Sequence, residues 1–170
     1  LPDELAGAVQ GKVLTAQPVP ELGWVVVGSL EANTYDMSRI AAVFDPGGNH
    51  TYEWHGNVTG SRLVVDLAGN DTYTADGVGG PGGALLGASI VSDLAGDDHY
   101  TGSAVALGAG VFGVGVLVDW AGNDTYTAAC WSVGAAIAGV GALVDMAGTD
   151  LYDAPLFCQG VGGPCGQGSR

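Results

Sequence analysis

The sequence predicts an all-β fold, a right-handed parallel β-helix wound in coils of about 26 residues and closed by a short N-terminal capping helix. Three observations predict it. An eight-residue unit recurs as Asp66–Tyr73 (DLAGNDTY), Asp93–Tyr100 (DLAGDDHY), Asp119–Tyr126 (DWAGNDTY) and Asp145–Tyr152 (DMAGTDLY), with a weaker copy at Asp45–Tyr52 (DPGGNHTY). The steps from tyrosine to tyrosine are 21, 27, 26 and 26 residues, a nearly fixed period of the kind that marks stacked repeats. Each late copy follows a Val- and Leu-rich run that ends in Asp, and precedes a run of Gly and Ala, so each period holds three strand-like segments.

Residues 1–23 read as a cap and linker. Pro2 and two acids stand ahead of an Ala-rich run, which suits a helical first turn, and Pro18 and Pro20 mark a linker after it. Residues 24–62 read as irregular or degenerate first coils. Trp24–Val27 has strand character, and Asn33, Thr34 and Tyr35 echo the end of the repeat. Residues 63–170 hold the regular repeats. In each, a strand ends in Asp, an Ala-Gly turn comes next, and a second strand places Tyr on the face opposite the threonines. Stacking would align Gly87 with Gly113 and Gly139, Gly115 with Gly141, and Leu67 with Leu94, Trp120 and Met146, the last column expected in the core. Val161–Gly166 (VGGPCG) repeats Val78–Gly83 (VGGPGG), so the last repeat is expected to be incomplete. An open end of this kind predicts end-to-end self-association or continuation in a larger parent assembly. The chain begins Leu-Pro-Asp, which reads as a mature form or an excised piece.

Composition narrows the function. The net charge is −14 with only four Lys and Arg, which argues against nucleic acid as a partner because phosphates would be repelled. The longest apolar runs, Ala104–Val118 and Cys130–Val144, are interrupted by Gly and too short for a membrane span. Cys130, Cys158 and Cys165 are too few for a disulfide scaffold and leave one pairing plus a free thiol open.

The aspartates carry the chemistry. From Leu63 to Ser169 there are eleven Asp and no Lys, Arg or Glu. Asp66, Asp93, Asp119 and Asp145 form one column, and Asp71, Asp98, Asp124 and Asp150 a second, with Asp97 beside Asp98. Stacked about 5 Å apart at an effective dielectric near 20, neighbouring carboxylates repel by roughly 3 kcal/mol. Bound hard cations, hydrogen bonds from turn amides, or splaying into water would each relieve this. Oxygen-only donors favour Ca²⁺ over zinc or copper.

The half-repeats GNDTY (Gly69–Tyr73 and Gly122–Tyr126), GDDHY (Gly96–Tyr100) and GTDLY (Gly148–Tyr152) resemble the second half of the repeats-in-toxin nonapeptide. That resemblance implies a calcium-binding β-solenoid. It implies Asp71, Asp98, Asp124 and Asp150 as ligands, together with carbonyls around Gly69, Gly96, Gly122 and Gly148. The leading glycine pair of that nonapeptide is replaced here by Asp-Leu, Asp-Trp or Asp-Met.

Other motifs weigh less. Gly108, Gly110 and Gly113 spell GxGxxG but fall on the repeat columns with no helix-forming sequence after them. His50, Glu53 and His55 with Trp54 would suit an acid/base or sugar-binding flank, although His50 also occupies the column of the second Asp. The expected function is a non-enzymatic, calcium-stabilised structural or interaction module that is secreted, periplasmic or on a cell surface. Carbohydrate binding or processing is the alternative, and a lyase would need a basic residue that the repeats lack.

Overall fold

A computed structural model describes residues 1–154. The protein is all-β, with parallel strands in stacked sheets. Alternation drives this arrangement. In Ala88–Asp93 (ASIVSD), Ser89, Val91 and Asp93 are buried and the intervening residues point outward, as a pleated strand requires.

Seven strands form one sheet, here the aspartate sheet. Its order is Val140–Asp145, Val114–Asp119, Ala88–Asp93, Arg62–Asp66, Ile40–Asp45, Gly23–Gly28 and Val13–Val19. The first six run parallel, and register aligns Asp45, Asp66, Asp93, Asp119 and Asp145. A second seven-stranded sheet, the tyrosine sheet, aligns Tyr35, Tyr52, Tyr73, Tyr100, Tyr126 and Tyr152. Three two-residue strands, Ala84–Leu85, Gly110–Val111 and Ala136–Ile137, make a third. Equivalent positions of successive repeats are therefore neighbours, as the periodicity requires.

The core lies between the aspartate and tyrosine sheets, where Val64, Val91 and Leu117 meet the tyrosines. The rings from Tyr52 to Tyr152 stack with centroids 4.6–4.9 Å apart. A smaller cluster of Val105, Ala109 and Ala135 packs with Trp131. The glycine columns are close-packed too, since a Cβ on Gly139 would meet the Gly113 carbonyl.

Several expectations change. The N-terminal helix is a three-residue 3-10 turn, Asp3–Leu5. The expected linker is a strand, Val13–Val19, paired antiparallel with Gly23–Gly28, and its Pro18 is tolerated because the strand lies at the sheet edge. Residues 24–62 follow the same parallel register as the later repeats, with a shift only at Trp24/Val25. Leu67, Leu94, Trp120 and Met146 are not core but 38–56% exposed. Each comes directly after an aspartate that points inward, so alternation turns it out. Cys158, Cys165 and the partial repeat at Val161–Gly166 lie outside the described residues. No helix among the described residues is long and apolar enough to cross a membrane.

Candidate metal centre

Each aspartate of the first column ends a strand and faces inward. Its Oδ1 caps the turn: the amides of Gly47, Ala68, Ala95 and Ala121 donate to Asp45, Asp66, Asp93 and Asp119 at 3.0–3.2 Å. Its Oδ2 accepts a tyrosine hydroxyl from the preceding repeat. Tyr35 donates to Asp45, Tyr52 to Asp66, Tyr73 to Asp93 and Tyr100 to Asp119, at 2.5–2.6 Å. The contacts end differently. Asp145 accepts from Tyr152 at 2.8 Å, and the buried Tyr126 hydroxyl has no partner among the described residues.

Sequence reasoning misses these hydroxyls. Their signal is a tyrosine at fixed phase after every aspartate pair. Tyr100→Phe is expected to cost about 1–3 kcal/mol by leaving a buried carboxylate oxygen of Asp119 without its donor, whereas Tyr126→Phe should be neutral within about 0.5 kcal/mol. Paired chemical denaturation curves check this contrast.

The second column joins the repeats through the backbone. The amide of His50 donates to Asp71 Oδ1, Asp71 to Asp98, Asp98 to Asp124 and Asp124 to Asp150, at 2.5–3.0 Å. The other oxygen, Oδ2, of Asp71, Asp98 and Asp124 is buried and has no hydrogen-bond partner among the described residues. Such orphans are costly and rare in folded proteins.

The two columns converge. One atom from each of Asp66, Asp71 and Asp93 lies within 4.8 Å of the others, and the same holds for Asp98, Asp119 and Asp124, for Asp124, Asp145 and Asp150, and for Asp45, His50 and Asp66. Asp97 stands apart. It is exposed, and its Oδ1 accepts from the amide and side chain of Asn123 on the surface.

Burial raises the carboxyl groups, and neighbouring carboxylates add to the rise. Asp71, Asp93 and Asp98 are pushed up to about 8, Asp124 to about 7 and Asp66 to about 6. The same desolvation lifts the stacked tyrosines well above their ordinary value, so they stay hydroxyl donors.

The four donor sets differ in their fit to a hard cation. The three all-carboxylate clusters suit one: every donor is oxygen, an oxygen is left bare in Asp71, Asp98 and Asp124, and no Lys or Arg is present from Leu63 to Ser169 to balance the charge. The histidine cluster does not. His50 Nδ1 accepts the Asn33 amide at 3.1 Å, which puts the imidazole proton on Nε2, 3.0 Å from Asp45 Oδ1. A ring nitrogen stands there instead of a bare carboxylate oxygen, close to Asp45 but without a completed hydrogen bond among the described residues, and a nitrogen carrying a proton cannot ligate a cation.

The flank expected at His50, Glu53, Trp54 and His55 is not assembled. His50 and Trp54 are buried, while His55 is on the surface beside Glu53 (3.5 Å) and Asp76 (3.1 Å). Period-2 alternation sends even and odd positions of Thr51–Trp54 to opposite sides. Gly108, Gly110 and Gly113 belong to packed columns, and no helix follows them among the described residues. Comparison with protein-family models, curated proteins and solved structures finds no match to this chain.

Proposed function

We propose that the chain is a right-handed parallel β-helix module, non-enzymatic, in which Ca²⁺ held by the aspartate clusters fastens successive repeats. The observation that carries this reading is the run of bare, buried carboxylate oxygens on Asp71, Asp98 and Asp124, each facing other carboxylates. The resemblance of the Gly-Asx-Asp turns to calcium-binding repeats points the same way. In this reading Asp66, Asp71 and Asp93 hold one ion, Asp98, Asp119 and Asp124 a second, and Asp124, Asp145 and Asp150 a third. The ion supplies the positive charge that the sequence lacks. The protein's own residues do the rest. Turn amides and tyrosine hydroxyls fix the carboxylates, and the stacked rings keep water out.

Three carboxylates from two neighbouring repeats meet in each site, so binding requires the repeats to be stacked and thereby stabilises the stack. Weak sites of this kind fill at the millimolar calcium found outside cells, which suits a module on a cell surface, in a periplasm or in secretions.

A second reading has one specific observation in its favour. Carboxylate oxygens of Asp98, Asp119 and Asp124 gather within 4.8 Å of one another, so a proton retained among these buried carboxyls would do the work of the ion.

Thermal melts at pH 7.5 separate the two readings. With calcium sites, excess chelator should lower the melting temperature by about 5–15 °C, and added Ca²⁺ should restore it. A melt unmoved by chelator would assign the clusters to shared protons.

A further inference from the structure

The outward face of the aspartate sheet is apolar, and nothing among the described residues covers it. Phe44, Ile90, Trp120, Val144 and Met146 are 38–56% exposed on it. Register continues these residues into unbroken columns, such as Phe44–Val65–Ser92–Val118–Val144. From Leu63 to Met146, Ser92 is the one polar residue at an outward position of these strands, and none is charged. The single-sign charge lies elsewhere, with exposed Asp76, Asp97 and Asp153 in turns or on the tyrosine sheet.

The corner beside this face adds a second observation. Leu86 and Phe112 are 60% and 62% exposed. Both adopt left-handed backbone, at φ 56° and 49°, which bulky residues avoid. Gly60, next to the Thr59 that bridges Leu85, holds the preceding position of this column at φ 85°. Ala138 continues the column at φ 47°. The same backbone occurs at the buried Val105, Leu107 and Val133, so what sets Leu86 and Phe112 apart is that their large apolar side chains are left exposed.

We propose that this face is an interface on which two copies of the chain pack sheet against sheet. The proposal deepens the reading of the chain as an interaction module and rests on it. Size favours a second copy: five strands about 4.8 Å apart, each five or six residues long, cover roughly 450 Å² of flat sheet, and the exposed residues after Asp66, Asp93, Asp119 and Asp145 widen it. Side chains standing off that plane raise the accessible area toward the ~800 Å² per partner of a standard interface. Chemistry favours it too. A flat, uncharged face is complementary to itself, aligned sheets pack about 10 Å apart, and a two-fold axis closes the pair. An anionic membrane would be repelled by a chain of net charge −14, and the face offers no Lys or Arg to hold headgroups.

Sedimentation velocity of the full chain tests this, in calcium and in chelator and at low and high salt. The expected result is a dimer at micromolar concentration that tightens as salt rises, because screening weakens repulsion between two acidic bodies. Trp120→Lys should weaken it at least tenfold. The triple variant Ile90→Thr, Val116→Thr and Val118→Thr keeps β-branched strand residues and should weaken it likewise with an unchanged circular dichroism spectrum. A wild-type chain that stays monomeric at about 100 µM overturns the proposal, as does a dimer unaffected by the triple variant. A monomer that co-sediments with phosphatidylcholine vesicles assigns the face to lipid and also overturns it. Failure of the calcium reading is separately visible, as a dimer that forms in a chain whose melt ignores chelator.

Discussion

Gly96→Ala is expected to be the most damaging single-methyl change in the described chain, costing about 4 kcal/mol or more and lowering the melting temperature by about 10 °C. Gly96 sits in the Ala-Gly turn directly over Gly69, and a Cβ would run into the Gly69 carbonyl oxygen. The backbone has nowhere to retreat. The Gly96 amide donates to Ala121 at 3.0 Å, the Gly69 amide donates to Ala95 at 2.9 Å, and the carboxylates of Asp93 and Asp98 are fixed on either side by the amides of Ala95 and Asp71. Gly122 and Gly148 repeat the same close approach, so the strain cannot be passed to a looser neighbour. Gly56→Ala is the control. Its added Cβ meets nothing within 4 Å, although its φ of 65° is left-handed. About 1 kcal/mol is expected there, from the backbone alone. A loss under about 1 kcal/mol for Gly96→Ala, read by chemical denaturation, would mean the turns are not stacked at this spacing.

Without divalent cations, the protein is expected to lose stability as pH rises from about 4 to about 8, the reverse of ordinary acid denaturation. The carboxyls set the sign. Asp71, Asp93 and Asp98 reach about 8 in the folded chain because burial disfavours their charge, against an ordinary value of 3.8. Between those values the folded state holds protons that the unfolded chain has released. Each such proton lowers stability by about 1.4 kcal/mol per pH unit as pH climbs. Saturating Ca²⁺ should flatten this slope, since the ion takes over the neutralising role. Asp98→Asn separates the roles further. Its amide retains the acceptor for Asp71 and needs no proton, so in chelator at pH 8 the variant should be more stable than wild type, and in calcium less responsive. Melts across pH in chelator check this, and stability rising from pH 4 to 8 would contradict it.

Most of the parallel stacking is legible because the chain repeats its own spacing. The tyrosines and the paired aspartates mark equivalent points, and the structure brings Tyr100 beside Tyr126 and Asp93 beside Asp119. Repetition alone does not say which way a side chain points. Leu67, Leu94, Trp120 and Met146 read as core because they are large and apolar, yet the inward turn of the preceding aspartate fixes them outside. Polar residues thus occupy inner positions that composition would assign to apolar ones.

The same inversion hides the tyrosine hydroxyls. Tyrosine reads as a core filler, and only the meeting of two sheets shows that its hydroxyl ends on the aspartate of the next repeat. The early repeats are harder to read for a different reason. Tyr35 and Asp45 are only ten residues apart, so their repeat lacks the long Gly- and Ala-rich third segment, and its strands carry less of the pattern. His50 reads as repeat decay, but its Nε2 stands 3.0 Å from Asp45 Oδ1, so the first cluster holds a ring nitrogen where the later ones hold only carboxylate oxygens.

The most direct measurement is calcium stoichiometry, by isothermal titration calorimetry of chelator-treated protein at pH 7.5. The predicted result is three ions per chain, from the three all-carboxylate clusters and none from the cluster containing His50, with one ion lost in Asp98→Asn. Absence of saturable binding at millimolar Ca²⁺, or a stoichiometry untouched by that substitution, would contradict the claim that the buried aspartates hold the cation that fastens the repeats.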